Sequence, residues 1–210
     1  RCIFTAHHLG DADKILPLLV ESTVEPHFLG YPDNLISLGY LSETVDEFGW
    51  EQASELVFNL GAKLVGRGRG EPERFRRDAV RIMREMLPSI DSPANATTDY
   101  DEDAFVSALT SVDIQRSFDA VRNVLEAGVK IDRLITTLVL LAADRMARTP
   151  VNVDAGWPCL TTELNLAASL RTAQRISGDE VAAKGIFHAA WLIFADRWLN
   201  IPSRPLTEPL

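Results

Sequence analysis

Four histidines supply all the imidazole in this 210-residue chain: His7 and His8 open it, His27 heads a long apolar stretch, and His188 interrupts the last one. Imidazole is the commonest metal ligand and the side chain that titrates nearest neutral pH, so histidines converging from two helices could hold a metal or move a proton. His27 belongs to Pro26-His27-Phe28-Leu29-Gly30-Tyr31-Pro32-Asp33-Asn34, where a turn holds it close to a carboxylate at the next helix start. That geometry suits metal binding or proton shuttling. It also suits a plainer arrangement in which Asp33 caps the helix and His27 bonds backbone in the turn. His188 sits among small and aromatic residues from Gly185 to Trp198. Desolvation there keeps the ring neutral, fit for a ligand, a general base or a core hydrogen bond.

Glu163 and Asn165 are polar groups set in the apolar run Leu160 to Ala168, so one of them is expected to point inward. On a helix antiparallel to that of His188 they would complete a pocket, and burial would raise the Glu163 pKa into a general-acid range; structural hydrogen bonding is the competing outcome. The expected site therefore has His27, His188 and Glu163 as catalytic groups and as ligands for a divalent iron or zinc. Tyr31, Asn165, Trp157 and Trp191 would shape its substrate pocket. Asp196 lies eight residues beyond His188, about 80° around the helix, and is expected to pair with Arg197 or another helix. Asp144, Arg145 and Arg148 read as dipole complement and local ion pairs. The stripe Arg74, Arg77, Arg81, Arg84 is interleaved with Glu71, Glu73, Asp78 and Glu85, which marks a solvated, salt-bridged face. His7 and His8, with Asp11 and Asp13, could take a metal or face solvent.

The elements that must position these groups are helices. Apolar residues recur at helical spacing nearly throughout, and alternating β-branched runs are scarce, which predicts an all-α, multi-helix orthogonal bundle. A first helix runs from about Asp11 to Val24. Pro32 opens a second that ends at Phe48-Gly49, and Trp50 starts a third that stops at the glycines 66, 68 and 70. A charged surface helix covers about Glu71 to Met86 with a stripe of Phe75, Val80, Ile82 and Met83. Prolines, threonines and acids from Leu87 to Asp103 predict a loop or mobile linker. Further helices follow over Glu102 to Leu109, from a cap at Ser111 or Asp113 to Glu126, over Ile131 to Met146 as the centre of the fold, from about Leu160 to Ile176, and from Asp179 to Leu199. Thr149-Pro150 to Trp157-Pro158 reads as a loop. The joint at Phe48-Gly49-Trp50-Glu51 echoes that at Ser177-Gly178-Asp179-Glu180. One helical domain over 1–210 is expected; chance reuse of Gly stops and acidic helix starts explains the echo better than a duplication into halves 1–86 and 104–210 joined by the acidic loop 87–103.

Composition narrows the partners. A net charge of −9 disfavours nucleic acid and anionic membrane surfaces, both of which need a basic face. The apolar runs fall short of the roughly 20 residues that span a bilayer. Cys2 and Cys159 match no disulfide framework or metal spacing, so two reduced thiols in a cytoplasmic protein are expected. Arg1 in place of methionine predicts a truncated or processed start. GxGxxG, GxxxxGK[ST], GxSxG, HExxH, ExxH and CxxC are all missing from the sequence, which removes support for standard nucleotide loops, serine hydrolysis, zincin chemistry and ordinary di-iron chemistry.

The segments Gly49-Trp50-Glu51-Gln52-Ala53, Phe187-His188-Ala189-Ala190 and Phe194-Ala195-Asp196-Arg197-Trp198-Leu199-Asn200-Ile201-Pro202 resemble a helical region of bacterial Rieske-associated and questin-oxidase-like proteins. The resemblance implies an all-α domain tied to oxidation of a small, polyketide-like molecule, and it places His27, Asn165, His188 and Asp196 at polar positions of that family. Asp33 or Asn34, Trp157-Pro158-Cys159 and Ala168 stand where further histidines would be expected, and the Rieske ligand pairs are missing. The resulting expectation is a helical protein that binds a small hydrophobic molecule, acting on it as an oxidoreductase or holding it, or a partner, without turnover. A homodimer is an open assembly.

Overall fold

The computed structural model describes residues 14–25, 32–67, 74–87, 97–150 and 156–200. Among the described residues the chain is all-α: α1 (Ile15–Thr23), α2 (Pro32–Arg67), α3 (Arg74–Met86), α4 (Glu102–Leu109), α5 (Ile114–Glu126), α6 (Ile131–Arg148), α7 (Trp157–Ser177), α8 (Asp179–Ala195) and a 3₁₀ turn at Arg197–Asn200. None of these helices is long and apolar enough to cross a membrane.

Local sequence accounts for most boundaries. The Asp101 carboxylate accepts from Ala104 N at 2.9 Å and the Asp113 carboxylate from Gln115 N at 2.9 Å, so each satisfies an amide that the first helical turn leaves without a partner. Of the two expected caps for α5, Asp113 does the work and Ser111 braces it, donating to the Asp113 carbonyl at 2.9 Å. Gly49 breaks α2 with φ 81°, ψ 167°, and Gly178 separates α7 from α8 with φ 83°, ψ −178°. That region of backbone space is open essentially to glycine alone, so the two echoed joints share one conformation as well as a pattern. Pro158 lies inside the first turn of α7, where its missing N–H costs no hydrogen bond. The helix therefore begins at Trp157, three residues before the expected start, and Trp157-Pro158 belongs to it and not to a loop.

α7 is the axis of the bundle. It packs against α6, α8, α2 and α1, while α8 also meets α5. Two small-residue contacts set the approach of its neighbours. A Cβ on Gly185 of α8 would come within 2.4 Å of Leu170 Cδ2, and one on Gly39 of α2 within 3.0 Å of Ser169 Oγ. Phe118 of α5 and Phe187 of α8 meet edge to face at 5.4 Å in the same core. The expectation that the helix at 131–146 forms the centre needs correction. Leu134, Ile135, Leu138, Leu141 and Ala142 are buried as their spacing predicts, but Leu140 is 55% exposed. The enclosed helix is α8, which buries Val181 to Ala183 and Gly185 to Trp191 on every face.

The acidic connection also departs from the mobile linker its composition predicts. Thr97 donates to Gly128 O at 2.8 Å and accepts from Lys130 N at 2.8 Å. Tyr100 Oη bonds Thr137 Oγ1 at 2.6 Å, Thr137 donates to Glu102 at 2.7 Å, and Arg133 pairs with Glu102 at 2.5 Å. Residues 97–102 are thus pinned to α6 by a polar network, and only part of the expected loop, 88–96, lies outside the described residues. On α3, Ala79, Val80, Ile82, Met83 and Met86 are buried, and the outward Arg81 pairs with Glu85 at 3.1 Å, as a salt-bridged surface helix should. The Phe75 side chain lies outside the description.

Candidate buried polar site

The cluster at the meeting of α6, α7 and α8 forms because an arginine continues an apolar stripe. Arg145 follows Leu134, Leu138, Leu141 and Ala142 at helical spacing, so its side chain enters the same core. It leaves 5% of its side chain exposed, and Glu163 of α7 leaves 2%. Arg145 Nη1 donates to Glu163 Oε1 at 2.5 Å, Nη2 to Asn200 Oδ1 at 2.6 Å and to Ile193 O at 3.3 Å, and Nε to Asn200 Oδ1 at 3.2 Å. Asn200 in turn donates to Thr110 O at 3.0 Å. A desolvated guanidinium requires acceptors of this kind, because an unpaired charge in the core costs several kcal/mol.

The carboxylate is only half satisfied. Glu163 Oε2 is buried and has no hydrogen-bond partner. Glu163 also lines a partly open cavity of about 10 Å³, room for one water-sized group, whose other walls are apolar side chains of α6, α7 and α8 including Leu138, Leu166 and Leu192. Burial raises the Glu163 pKa, Arg145 pulls it back, and the charge of Asp196 pushes it up further. Asp196, just beyond α8, is raised by burial as well, against hydrogen bonds from Cys159 and Trp198 and the charge of Arg145. The Cys159 thiol is pushed up to about 11 by burial and then by Asp196. The expected Asp196–Arg197 pair does not form: Arg197 donates to Phe194 O at 3.0 Å and stacks 4.4 Å over the Phe194 ring. Its partners come from α7 and from Trp198.

Of the described residues that the sequence groups together, Glu163 lines the cavity and His188, Asn165, Trp157 and Trp191 do not. Glu163 is the polar residue of its helix that points inward, and Asn165 is half-buried, its carbonyl accepting from Ser169 Oγ at 2.7 Å. His188 is 6% exposed and its Nε2 lies 3.1 Å from Val24 O, at the end of α1 and not at the Glu163 cavity. Trp191 is buried 5.9 Å from Phe194, Trp157 is half-buried in the first turn of α7, and neither lines that cavity. His27 and Tyr31, and likewise His7 and His8, lie outside the described residues. Among the described residues no three His, Cys, Asp or Glu side chains gather as a metal site, and Arg145 against Glu163 opposes a divalent cation there by charge.

Arg145 and Asn200 are the residues that sequence reasoning missed. The signal for Arg145 was its place on the buried stripe of α6, which outweighs the local carboxylate Asp144; that carboxylate pairs with Arg148 at 2.7 Å instead. Nothing local marks Asn200, whose partners lie 55 and 90 residues away.

The fold and the cluster define an all-α bundle with a buried Arg–Glu–Asn network beside a small apolar cavity. Comparison with known proteins finds no matching family model, no matching curated protein and no matching solved structure.

Proposed function

We propose that this protein binds a small, slender apolar molecule by a hydrogen-bond-donating head received at Glu163 Oε2, between α6, α7 and α8. One observation carries the reading: Glu163 lines an otherwise apolar cavity, and its buried Oε2 has no donor of its own. Buried acceptors are almost always paired, so an unpaired one on a residue of a cavity wall supports a donor that comes from outside the chain. The cavity takes the head alone, and the body of the ligand would follow its open side. The net charge of −9 supports a small molecule in preference to nucleic acid.

Turnover of that molecule, with Glu163 as general acid or base, is the second reading. What favours it is that burial raises the Glu163 pKa, against the lowering by Arg145. The oxidoreductase reading of the family resemblance needs an electron acceptor in addition, and His188 stands with Val24 and not at this cavity.

A panel of short n-alcohols and n-amines tests the binding reading through the melting temperature, since a ligand of the folded state stabilises by RT ln(1 + [L]/Kd). Members of the panel should raise Tm in the wild type and lose that effect in Glu163→Gln. A panel that leaves Tm unchanged, or raises it equally in both proteins, refutes the assignment of Oε2 as the receiving atom.

A further inference from the structure

We propose that this chain pairs with a second copy of itself through surfaces of opposite charge, the glutamate-bearing tip of α2 on one copy meeting the arginine stripe of α3 on the other. α2 doubles back at Gly49. Asp33 and Lys63 meet at 3.1 Å, whereas a straight helix would hold those two positions about 45 Å apart. The positive φ of Gly49 is therefore the turn between two antiparallel arms, and the residues beside it form their common tip. Between Asp33 and Lys63 the chain carries five acids and no lysine or arginine. Glu43 and Glu47 lie one turn apart on the first arm and Glu51 and Glu55 one turn apart on the second, all of them exposed. Among the described residues only the fifth acid, Asp46, meets a cation, Arg175 at 3.1 Å. Phe48, at the apex, is 65% exposed. An uncovered ring among unpaired like charges is a surface that a cationic partner both neutralises and covers.

The complementary face is on α3. Arg74, Arg77, Arg81 and Arg84 are exposed there and fall within about 80° of the helix circumference, along about 15 Å of its length. Asp78 and Glu85 share the exposed side, so four arginines stand against two acids. The Arg81–Glu85 pair at 3.1 Å is itself solvated and exchanges partners at little cost. Within one chain the two faces do not meet: α3 packs on α5 and α2 on α1 and α7, and among the described residues no ion pair joins α2 to α3. A polyanion on α3 would leave the α2 tip bare, whereas a second copy uses both faces. The net charges of the two copies are screened beyond about 8 Å at physiological salt, so the local match decides. A two-fold arrangement makes the contact twice and closes the dimer.

Sedimentation velocity of the full chain at about 100 μM tests the pairing in about 50 mM and about 500 mM NaCl, between which the Debye length falls from about 14 Å to about 4 Å. We expect a dimer at the lower salt and an affinity at least about tenfold weaker at the higher. Glu47→Lys/Glu51→Lys and Arg81→Glu/Arg84→Glu should each be monomeric, because each sets like charges face to face. An equimolar mixture of the two variants should dimerise again, since the reversed tip then meets the reversed stripe and the native tip the native stripe. All four positions are exposed, and far-UV circular dichroism checks that the variants fold; the salt response of the wild type decides without them. A wild type that stays monomeric at the lower salt, or a dimer indifferent to salt, overturns the proposal, and heparin binding by such a monomer would give the α3 stripe to a polyanion instead. A dimer that survives both reversals, or a mixture of folded variants that stays monomeric, overturns the pairing of these two faces.

Discussion

Replacing Arg145 by methionine should be among the most damaging single changes in the chain, and its cost can be built from its contacts. The substitution removes four hydrogen bonds, one to Glu163, two to Asn200 Oδ1 and one to Ile193 O. It leaves Glu163 with no partner on either oxygen, in a site where its side chain is 2% exposed. Removing one member of a buried ion pair typically costs about 3–5 kcal/mol, and protonation of Glu163 caps the loss. In a chain of this size that corresponds to a Tm about 6–20 °C lower. Glu163→Leu should fall at the lower end of the same range, because Arg145 keeps Asn200, Ile193 O and the charge of Asp196. The double variant Arg145→Met/Glu163→Leu replaces the pair with apolar volume and should cost far less than the sum, by about 2 kcal/mol or more. Urea unfolding of the four proteins, followed by tryptophan fluorescence, measures the coupling. Single costs that add to within about 0.5 kcal/mol, or an Arg145→Met cost below about 1 kcal/mol, would refute the view that this pair is a desolvated, interdependent unit.

Asp196 and Glu163 have raised pKa values in the fold, so folding favours their protonated forms; their contribution is present below the ordinary carboxylate range and lost as pH rises through the raised values. Asp196→Asn should thus gain stability relative to wild type between about pH 4 and pH 8, and a gain that shrinks with pH would contradict it. With its thiol pushed up to about 11, Cys159 should hold roughly 100-fold less thiolate than an ordinary cysteine at neutral pH. Peptide mass spectrometry should therefore show slow iodoacetamide labelling of Cys159, and faster labelling in Asp196→Asn. Gly178→Ala introduces no clash within 4 Å and should still cost about 1–3 kcal/mol through backbone strain, whereas Gly185→Ala meets Leu170 Cδ2 at 2.4 Å. Trimming Leu170 to alanine should therefore make room for the new methyl in Gly185→Ala and do nothing for Gly178→Ala in thermal melts. His188→Ala should destabilise by about 1–3 kcal/mol by orphaning its bond to Val24 O, and unchanged unfolding would contradict a structural role.

The helices were legible because their signals are local. Asp101, Asp113, Gly128 and Gly178 cap or break helices through atoms within a few residues, and the period of Leu134, Leu138 and Leu141 faces one side whatever lies opposite. The same locality explains the errors. Pro158 can open a helix or sit in a loop, and only the conformation of the preceding residues decides. Thr97 to Glu102 has the composition of a linker, but its order comes from partners at 128–137, which composition cannot report. Among helices, α8 has the greater enclosure, because small residues such as Ala182, Ala183, Gly185, Ala189 and Ala190 let neighbours close on every side.

The site was harder to see for a reason that concerns charge more than distance. Histidines draw attention because imidazole is chemically versatile, yet His188 spends its described ring nitrogen on a backbone carbonyl of α1. The side chain with the larger energetic stake is Arg145, an arginine with an obvious carboxylate in reach at Asp144. Local pairing rules assign those two to each other, and they would be right on a surface helix, where a pair one turn apart gains a few tenths of a kcal/mol. In the core the balance inverts. Arg145 lies on the buried stripe and must find acceptors that desolvation cannot strip away, so the register of α6 on α7 and the return of the chain at Asn200 are fixed around it. Arg148, one turn nearer solvent, takes Asp144. An arginine in phase with an apolar stripe therefore predicts a distant buried carboxylate, and Glu163, in phase with Leu160, Leu166 and Leu170 on α7, carries the complementary signature.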